Sequence, residues 1–279
     1  MAFSILNNIA GIQAQNQLNI NSVNLTRTLM RLSSGKRINS GADDAAGLGI
    51  ANSLTANIRA LDQAVRNAND ATSVAQIADG ALQQITDLLT RAFTLAEEAA
   101  TDTVDSTGRD ALNNELTSIK TEIDRIATQT NYNGLGIFST SGINGALHVF
   151  VGDTSASSSI SVTVATISTT DVGGADLTGA SLATKDAAVT AIETLKTSLT
   201  GISSSRADIG SGMNRLQSAV AVLQTQSQNT QAAQSNIMDA NMAEEIANLT
   251  KFQILAQTGI AALTQANASA QNVLTLLRG

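Results

Sequence analysis

Asp43 and Asp44 stand side by side in a turn-rich stretch. Paired carboxylates are the residue type that holds a hard cation or moves a proton. The chain offers them little help: it has no cysteine, and its single histidine, His148, is distant in sequence. Acid–base work would lack a neighbour that titrates near neutrality. The flanking Ser, Asn and Gly residues favour another role, capping a helix and closing a turn. His148 lies on an expected strand, where a lone histidine is a surface or packing residue. Gly47-Leu-Gly49 lacks the spacing and the lysine of a phosphate loop. No catalytic residue, metal site or cofactor is expected, and the chain is not expected to be an enzyme. The hydroxyls between 154 and 170 offer different chemistry. Ser155, Ser157, Ser158, Ser159, Ser161 and Thr163 are candidates for O-glycosylation, although polar loops share this composition. The N-x-S/T triplets at Asn24, Asn248 and Asn267 fall on helices expected to be packed, and read as chance.

The elements around these residues are dominated by helical periodicity. Residues 1–26 carry no charged side chain, and Ile5, Ile9 and Ile12 are spaced four and three apart. At the other end Leu249, Phe252, Ala256, Ile260, Leu263, Ala270, Leu274 and Leu277 form one helical stripe, in a stretch (246–277) whose only charge is Lys251. A connector is expected over 33–50. From Ala51 the 4–3 spacing of Leu54, Ile58, Leu61, Val65 and Ala68 continues through Val74, Ile77, Ala81, Ile85, Leu88, Ala92 and Leu95. That predicts one helix of about 45 residues, nearly 70 Å long at about 1.5 Å per residue. Its outward face carries Asp62–Arg66 and Asp87–Arg91 as (i, i+4) pairs. Thr107 to Asp110 reads as a variant capping box. Leu112, Leu116, Ile119, Ile123 and Ile126 follow as a helix ending at the Asn133-Gly134 turn. Short strands are expected at 137–138, 147–151 and 160–164, and a Ser/Thr/Gly-rich surface excursion over 152–183. Helical spacing returns from Ala188 to Leu223, then a polar connector at 224–236 and a terminal seam from about Ile237.

Composition narrows the function. With no proline and 2 % aromatic residues, the core must be built from Leu, Ile, Val and Ala in thin helical seams. A net charge of -7 argues against nucleic-acid binding. No secretory signal is recognisable at the N-terminus and no run is apolar enough for membrane insertion. The segment order is nearly palindromic, so the economical arrangement pairs the N-terminal helix with the C-terminal one. The expected fold is mainly α, an elongated antiparallel helical bundle or coiled coil with paired terminal helices and a small β-hairpin region.

Residues 32–51, LSSGKRINSGADDAAGLGIA, resemble the LSSGxRINSAxDDAAGxxIA signature of bacterial flagellins. EIDRIATQTNYNG at 122–134, RADIG at 206–210 and DANMAEE at 239–245 are similar to further segments of that family, in the same order. The resemblance implies residues 1–40 and 237–279 as an inner terminal coiled coil, the core of a filament. It implies 41–138 and 184–236 as a helical bundle with a β-hairpin, and 139–183 as a short variable excursion without large outer domains. The implied function is a structural subunit polymerising into the helical tube that serves as propeller; a hook–filament junction protein is the alternative. Implied partners are further copies of the chain, an export chaperone, cap and junction proteins, and Toll-like receptor 5. The expected location is the extracellular filament, reached without a cleaved signal peptide. Ile5, Ile9, Ile12, Leu249, Phe252, Ile260, Leu263, Leu274 and Leu277 are the expected polymerisation seam. TRAFTLA at 90–96 is similar to the family's QRxRELA, which with Glu115 implies a receptor patch of Arg91, Leu95 and Glu115; Phe93 and Thr94 depart from the pattern.

Overall fold

Five helices and two small hairpins make up the computed structural model, which describes residues 8–278 apart from 140, 141, 144, 153–158 and 169. Side chains are described up to residue 269. Helix α1 spans Ile9–Ser34, α2 Ala45–Ala99 and α3 Ser106–Gln129. Strands β1 (Asn131–Tyr132) and β2 (Leu135–Gly136) pair antiparallel, as do β3 (Ala146–Phe150) and β4 (Ser159–Thr163). Helix α4 spans Lys185–Met238 and α5 Met242–Arg278. The chain divides into two compact units: residues 1–56 with 229–279, and residues 57–228.

In the first unit α1 and α5 pack together. Asn8 caps α1 by accepting from the Gly11 N–H, and Gly35, at φ 70°, ends it in the left-handed conformation that glycine adopts without strain. The expected connector is shorter than 33–50, because α2 begins at Ala45 and absorbs Gly47 and Gly49. Short polar contacts order the connector. Asp44 Oδ1 accepts from the Gly47 N–H at 2.8 Å, the N-terminal cap geometry. Asp43 Oδ2 accepts from the Ser40 hydroxyl (3.1 Å) and from the backbone N–H of Ser40 (3.1 Å) and Asn39 (3.3 Å). Ile38 is buried beneath. The connector also pairs with the break between α4 and α5. Arg37 N–H donates to Met238 O, Ala240 N–H to Gly35 O, and the Arg37 guanidinium to Ile237 O.

The second unit holds the main core. Leu82, Ile85, Leu89, Ala92 and Leu95 of α2 meet Leu116, Ile119 and Ile123 of α3, and Ala188, Ala191, Leu195, Ile202 and Ile209 of α4. Alanines such as Ala68, Ala75 and Ala78 are fully covered, and their small side chains allow close helix approach. The buried stripe of α2 differs from the sequence expectation in detail: Ile77 faces out, while Leu82 and Leu89 turn in. Helix α2 is also longer, at 55 residues.

Several local expectations are corrected. Asp105, not Thr107, caps α3, accepting from the Gly108 N–H at 2.7 Å. Residues 137 and 138 are not a strand: Ile137 and Phe138 are core side chains just beyond the first hairpin. The polar 224–236 stretch, which the sequence leaves open as helical or not, is helical: α4 runs through it to Met238. Asp62 accepts from Ser227 rather than pairing with Arg66, which bonds Gln63. Arg91 pairs with Glu115 of α3 rather than with Asp87.

The largest correction concerns the expected surface excursion. Val164, Ile167, Val172, Leu177 and Leu182 are all buried in the main core. Lys120 of α3 donates to the carbonyls of Thr178 and Ala180, and Asn113 accepts from the Leu182 N–H at 2.9 Å. Burial lowers the pKa of Lys120, partly countered by Asp176. Gly173, at φ 62°, crosses Gly201 of α4 backbone against backbone. The Ser/Thr/Gly composition masks five apolar residues spaced too irregularly for either regular period.

Candidate assembly surface

Helix α1 has two faces with opposite uses. The face towards α5 carries Gly11, Ala14, Leu18, Asn21, Leu25, Thr28 and Leu32, alternating three and four apart, all buried or half-buried. Gly11, Asn21 and Thr28 are the buried ones. Opposite, at about 100° per residue, lies a second stripe of Ile9, Ile12, Ile20, Val23 and Met30. All five are more than half exposed; Ile20 is 53 % and Val23 58 % exposed. On α5, Leu249, Phe252, Ala256, Gly259, Leu263 and Ala266 are half-buried, while Met242, Ile246, Ile254 and Ile260 remain exposed.

The candidate seam residues therefore divide. Leu249, Phe252 and Leu263 lie on the half-buried α5 face, whereas Ile9, Ile12 and Ile260 face outward. Ile5 and the side chains of Leu274 and Leu277 lie outside the described residues. Sequence reasoning missed the small and polar inner face of α1, because Gly11, Asn21 and Thr28 are not apolar signals. The regular 3–4 alternation from residue 11 to residue 32 was the available clue.

Contacts from one end of the pair to the other set an antiparallel arrangement. Asn8 Nδ2 donates to Ala266 O and Asn267 Oδ1, both at 3.2 Å. A Cβ built on Gly259 would meet Leu18 at 3.4 Å, ordinary packing distance. Arg31 Nη1 donates to Glu245 Oε1 at 3.3 Å. Nearby, Arg27 approaches Asp43 at 3.7 Å. The Asp43 pKa is lowered from 3.8, chiefly by the Ser40 hydroxyl, then by the two backbone N–H donors and the charge of Arg31. A lowered carboxylate contributes stability above its unfolded pKa and loses it as pH falls through the folded value. Protection of the Asn39 and Ser40 amides from hydrogen exchange should therefore hold at neutral pH and fall away below pH 3.8. In Asp43→Asn both amides should exchange faster already at neutral pH, with little further acid dependence. An unchanged acid profile in that variant would assign the protection elsewhere.

The remaining candidate sites lie outside the terminal helix pair. Arg91 Nε and Nη2 both approach Glu115 Oε1 at 2.8 Å on the exposed side of α2 and α3, and the hydrogen bond that Arg91 donates to Glu115 raises the Arg91 pKa. Leu95, 1 % exposed, is core beneath them. Ser159, Ser161 and Thr163 sit on the exposed face of β4, opposite His148 and Phe150 of β3. Ser155, Ser157 and Ser158 lie outside the described residues. Among the described residues no group of three His, Cys, Asp or Glu side chains could hold a metal, and no helix is long and apolar enough to cross a membrane.

Comparison with known proteins converges on one family. Residues 5–142 match the bacterial flagellin N-terminal helical region, and residues 190–277 the bacterial flagellin C-terminal helical region. The flagellar filament 30.7 kDa core protein of Treponema maltophilum is 35 % identical, over 98 % of this chain and 99 % of that protein. A flagellin of Listeria innocua is 32 % identical, over 97 % and 98 %. The crystal structure of Bacillus cereus flagellin aligns with a TM-score of 0.50 at 33 % identity, covering 61 % of this chain and 94 % of that one.

Proposed function

Because this chain belongs to the bacterial flagellin family, we propose that it builds the flagellar filament by burying the outward faces of α1 and α5 against further copies of itself. The chain is a filament subunit, and motility is the use of that filament. The observation carrying the assembly route is the outward stripe Ile9, Ile12, Ile20, Val23 and Met30, which the α1–α5 pair leaves uncovered. Burial of apolar area is worth about 25 cal/mol per Å². Contacts between unlike patches repeat without closing, which yields a helical polymer. On this reading residues 1–40 and 237–279 are the coiled coil at the filament core, and 41–138 with 184–236 a helical bundle with a β-hairpin. Electron microscopy of the purified chain after seeding tests it: long filaments are expected, and short rings or oligomers would favour a junction protein.

Further partners follow from the same family. The exposed α5 stripe suits an export chaperone before assembly, and cap and junction proteins would meet the same terminal helices at the polymer ends. Export to the extracellular filament would proceed without a cleaved leader. The β4 hydroxyls, and the serines just before them, would carry O-glycans. The intact mass of native filaments reads both points: a bare, full-length mass removes the glycans, and a mass short by a leader removes the export reading.

Recognition by Toll-like receptor 5 would use Arg91 and Glu115 directly, with Leu95 holding their helix from beneath. In a reporter-cell assay Arg91→Ala should lower the response about tenfold. Its effect on stability should be small, because an exposed ion pair is screened by water and contributes little. Silence from both the unaltered chain and the variant would remove this partner.

A further inference from the structure

Packing alone leaves the α1–α5 register open. Leu18, Leu25 and Leu32 recur every seven residues on α1, as do Phe252, Gly259 and Ala266 on α5. Sliding one helix by seven residues, about 10 Å, would bring Leu25 opposite Gly259 in place of Leu18 and keep the periodic faces matched. Heptad seams with few distinguishing residues are prone to such slips, and a single buried polar contact can forbid them. Asn8 does not discriminate, since a backbone carbonyl is on offer at every position.

Charge does discriminate. Glu245 is 7 % exposed in the first turn of α5, and its Oε1 accepts from Arg31 at 3.3 Å. From Gly11 to Thr28 on α1, and from Leu249 to Ala266 on α5, the inner faces carry no charge at all. In the slipped register Arg31 would lie level with Phe252, and Glu245 would fall beyond the Ser34 end of α1. Each charge would then lose its partner. We infer that the Arg31–Glu245 pair is the side-chain register key of the terminal helices, acting beside the main-chain bonds Arg37–Met238 and Ala240–Gly35 at the same end to select the observed alignment over the seven-residue slip. A largely covered pair used in this way contributes specificity rather than net stability.

The absence of native cysteine makes the register directly readable. A Cβ on Gly259 would lie 4.0 Å from the Leu18 Cβ, inside the roughly 3.5–4.5 Å window of a disulfide. Full-length chain with Leu18→Cys and Gly259→Cys reports the observed register; Leu25→Cys with Gly259→Cys reports the slipped one. Intramolecular disulfides formed in a glutathione redox buffer are mapped by mass spectrometry. With Arg31 and Glu245 intact, the first pair should form at least tenfold in preference to the second. Glu245→Gln should reduce that preference about tenfold. Arg31→Met should do the same, and guards against Asp43 taking over Arg31 in the first variant. The charge swap Arg31→Glu with Glu245→Arg should restore the preference, which distinguishes register from general loss of folding. A preference unchanged in both single variants, or not restored by the swap, overturns the inference. So does failure of the first pair to form in the unaltered background.

Discussion

A chain carrying Ile20→Glu and Val23→Glu stays monomeric at concentrations where the unaltered chain grows filaments. Both side chains are more than half exposed on α1, on the face turned away from α5. Neither substitution alters the inner face that α1 turns to α5, and glutamate favours helix at least as well as the β-branched residues it replaces. In the polymer the balance reverses. Each buried Ile or Val is worth about 1.5–3 kcal/mol, and a carboxylate forced into the same contact adds a desolvation penalty. Because both side chains are already partly covered, about half of that value is lost at each, and with the desolvation penalty the two losses exceed about 3 kcal/mol per added subunit, at least about a hundredfold in the critical concentration at 1.4 kcal/mol per tenfold. Deleting residues 1–26 should do the same more bluntly, leaving a soluble, partly helical monomer. Light scattering and electron microscopy read both. Filaments from the double variant at the ordinary concentration would show that the outward stripe of α1 is not the assembly contact.

Gly201→Ala should unseat the 164–183 segment, whereas Gly80→Ala should stabilise the chain. The two glycines lie inside long helices, where alanine is intrinsically better by roughly 1 kcal/mol. Their surroundings differ. A Cβ on Gly80 meets nothing within 4 Å, so the propensity gain stands. A Cβ on Gly201 would lie 1.8 Å from the Gly173 carbonyl oxygen, a backbone atom that cannot rotate away. Gly173 itself sits at φ 62°, so its loop has few alternatives. Relief would require lifting that loop off α4 and loosening Val172 and Leu177, both buried. Overpacking of this kind costs typically 1–3 kcal/mol. Thermal unfolding should show Gly201→Ala below and Gly80→Ala above the parent, with protease cutting in 164–183 gained only by the first. Equal behaviour of the two variants would contradict the close crossing.

Helices were legible wherever Leu and Ile repeat at 4–3 spacing, and the pairing of α1 with α5 followed from the order of segments. The faces within that pair were harder to read. Ile9, Ile12 and Ile260 are the apolar signal, yet they face outward, because Gly11, Asn21 and Gly259 permit a closer approach than a pair of isoleucines would. Burial there follows from smallness, which a hydrophobicity pattern does not register. The 164–183 segment was illegible for a related reason. Val164, Ile167, Val172, Leu177 and Leu182 enter the core from irregular backbone interrupted by turns and isolated bridges, and such backbone imposes no period on the sequence. The charged contacts of α2 were mispaired because Glu115 and Ser227 reach Arg91 and Asp62 from other helices, and an (i, i+4) rule sees only its own helix.

Both helical lines of the first unit break at one level, and main-chain bonds bridge the break. Arg37 N–H to Met238 O at 2.6 Å and Ala240 N–H to Gly35 O at 2.9 Å form a short antiparallel rung, with the Arg37 guanidinium on Ile237 O at 3.0 Å. Bonds of such a rung stand perpendicular to the chains they join. A pull that slides one chain along the other therefore loads all three together in shear, instead of opening them one at a time. Two of the three bonds run through the backbone, which every residue type but proline supplies, so most of the joint's mechanical strength at this level owes little to which side chains surround it.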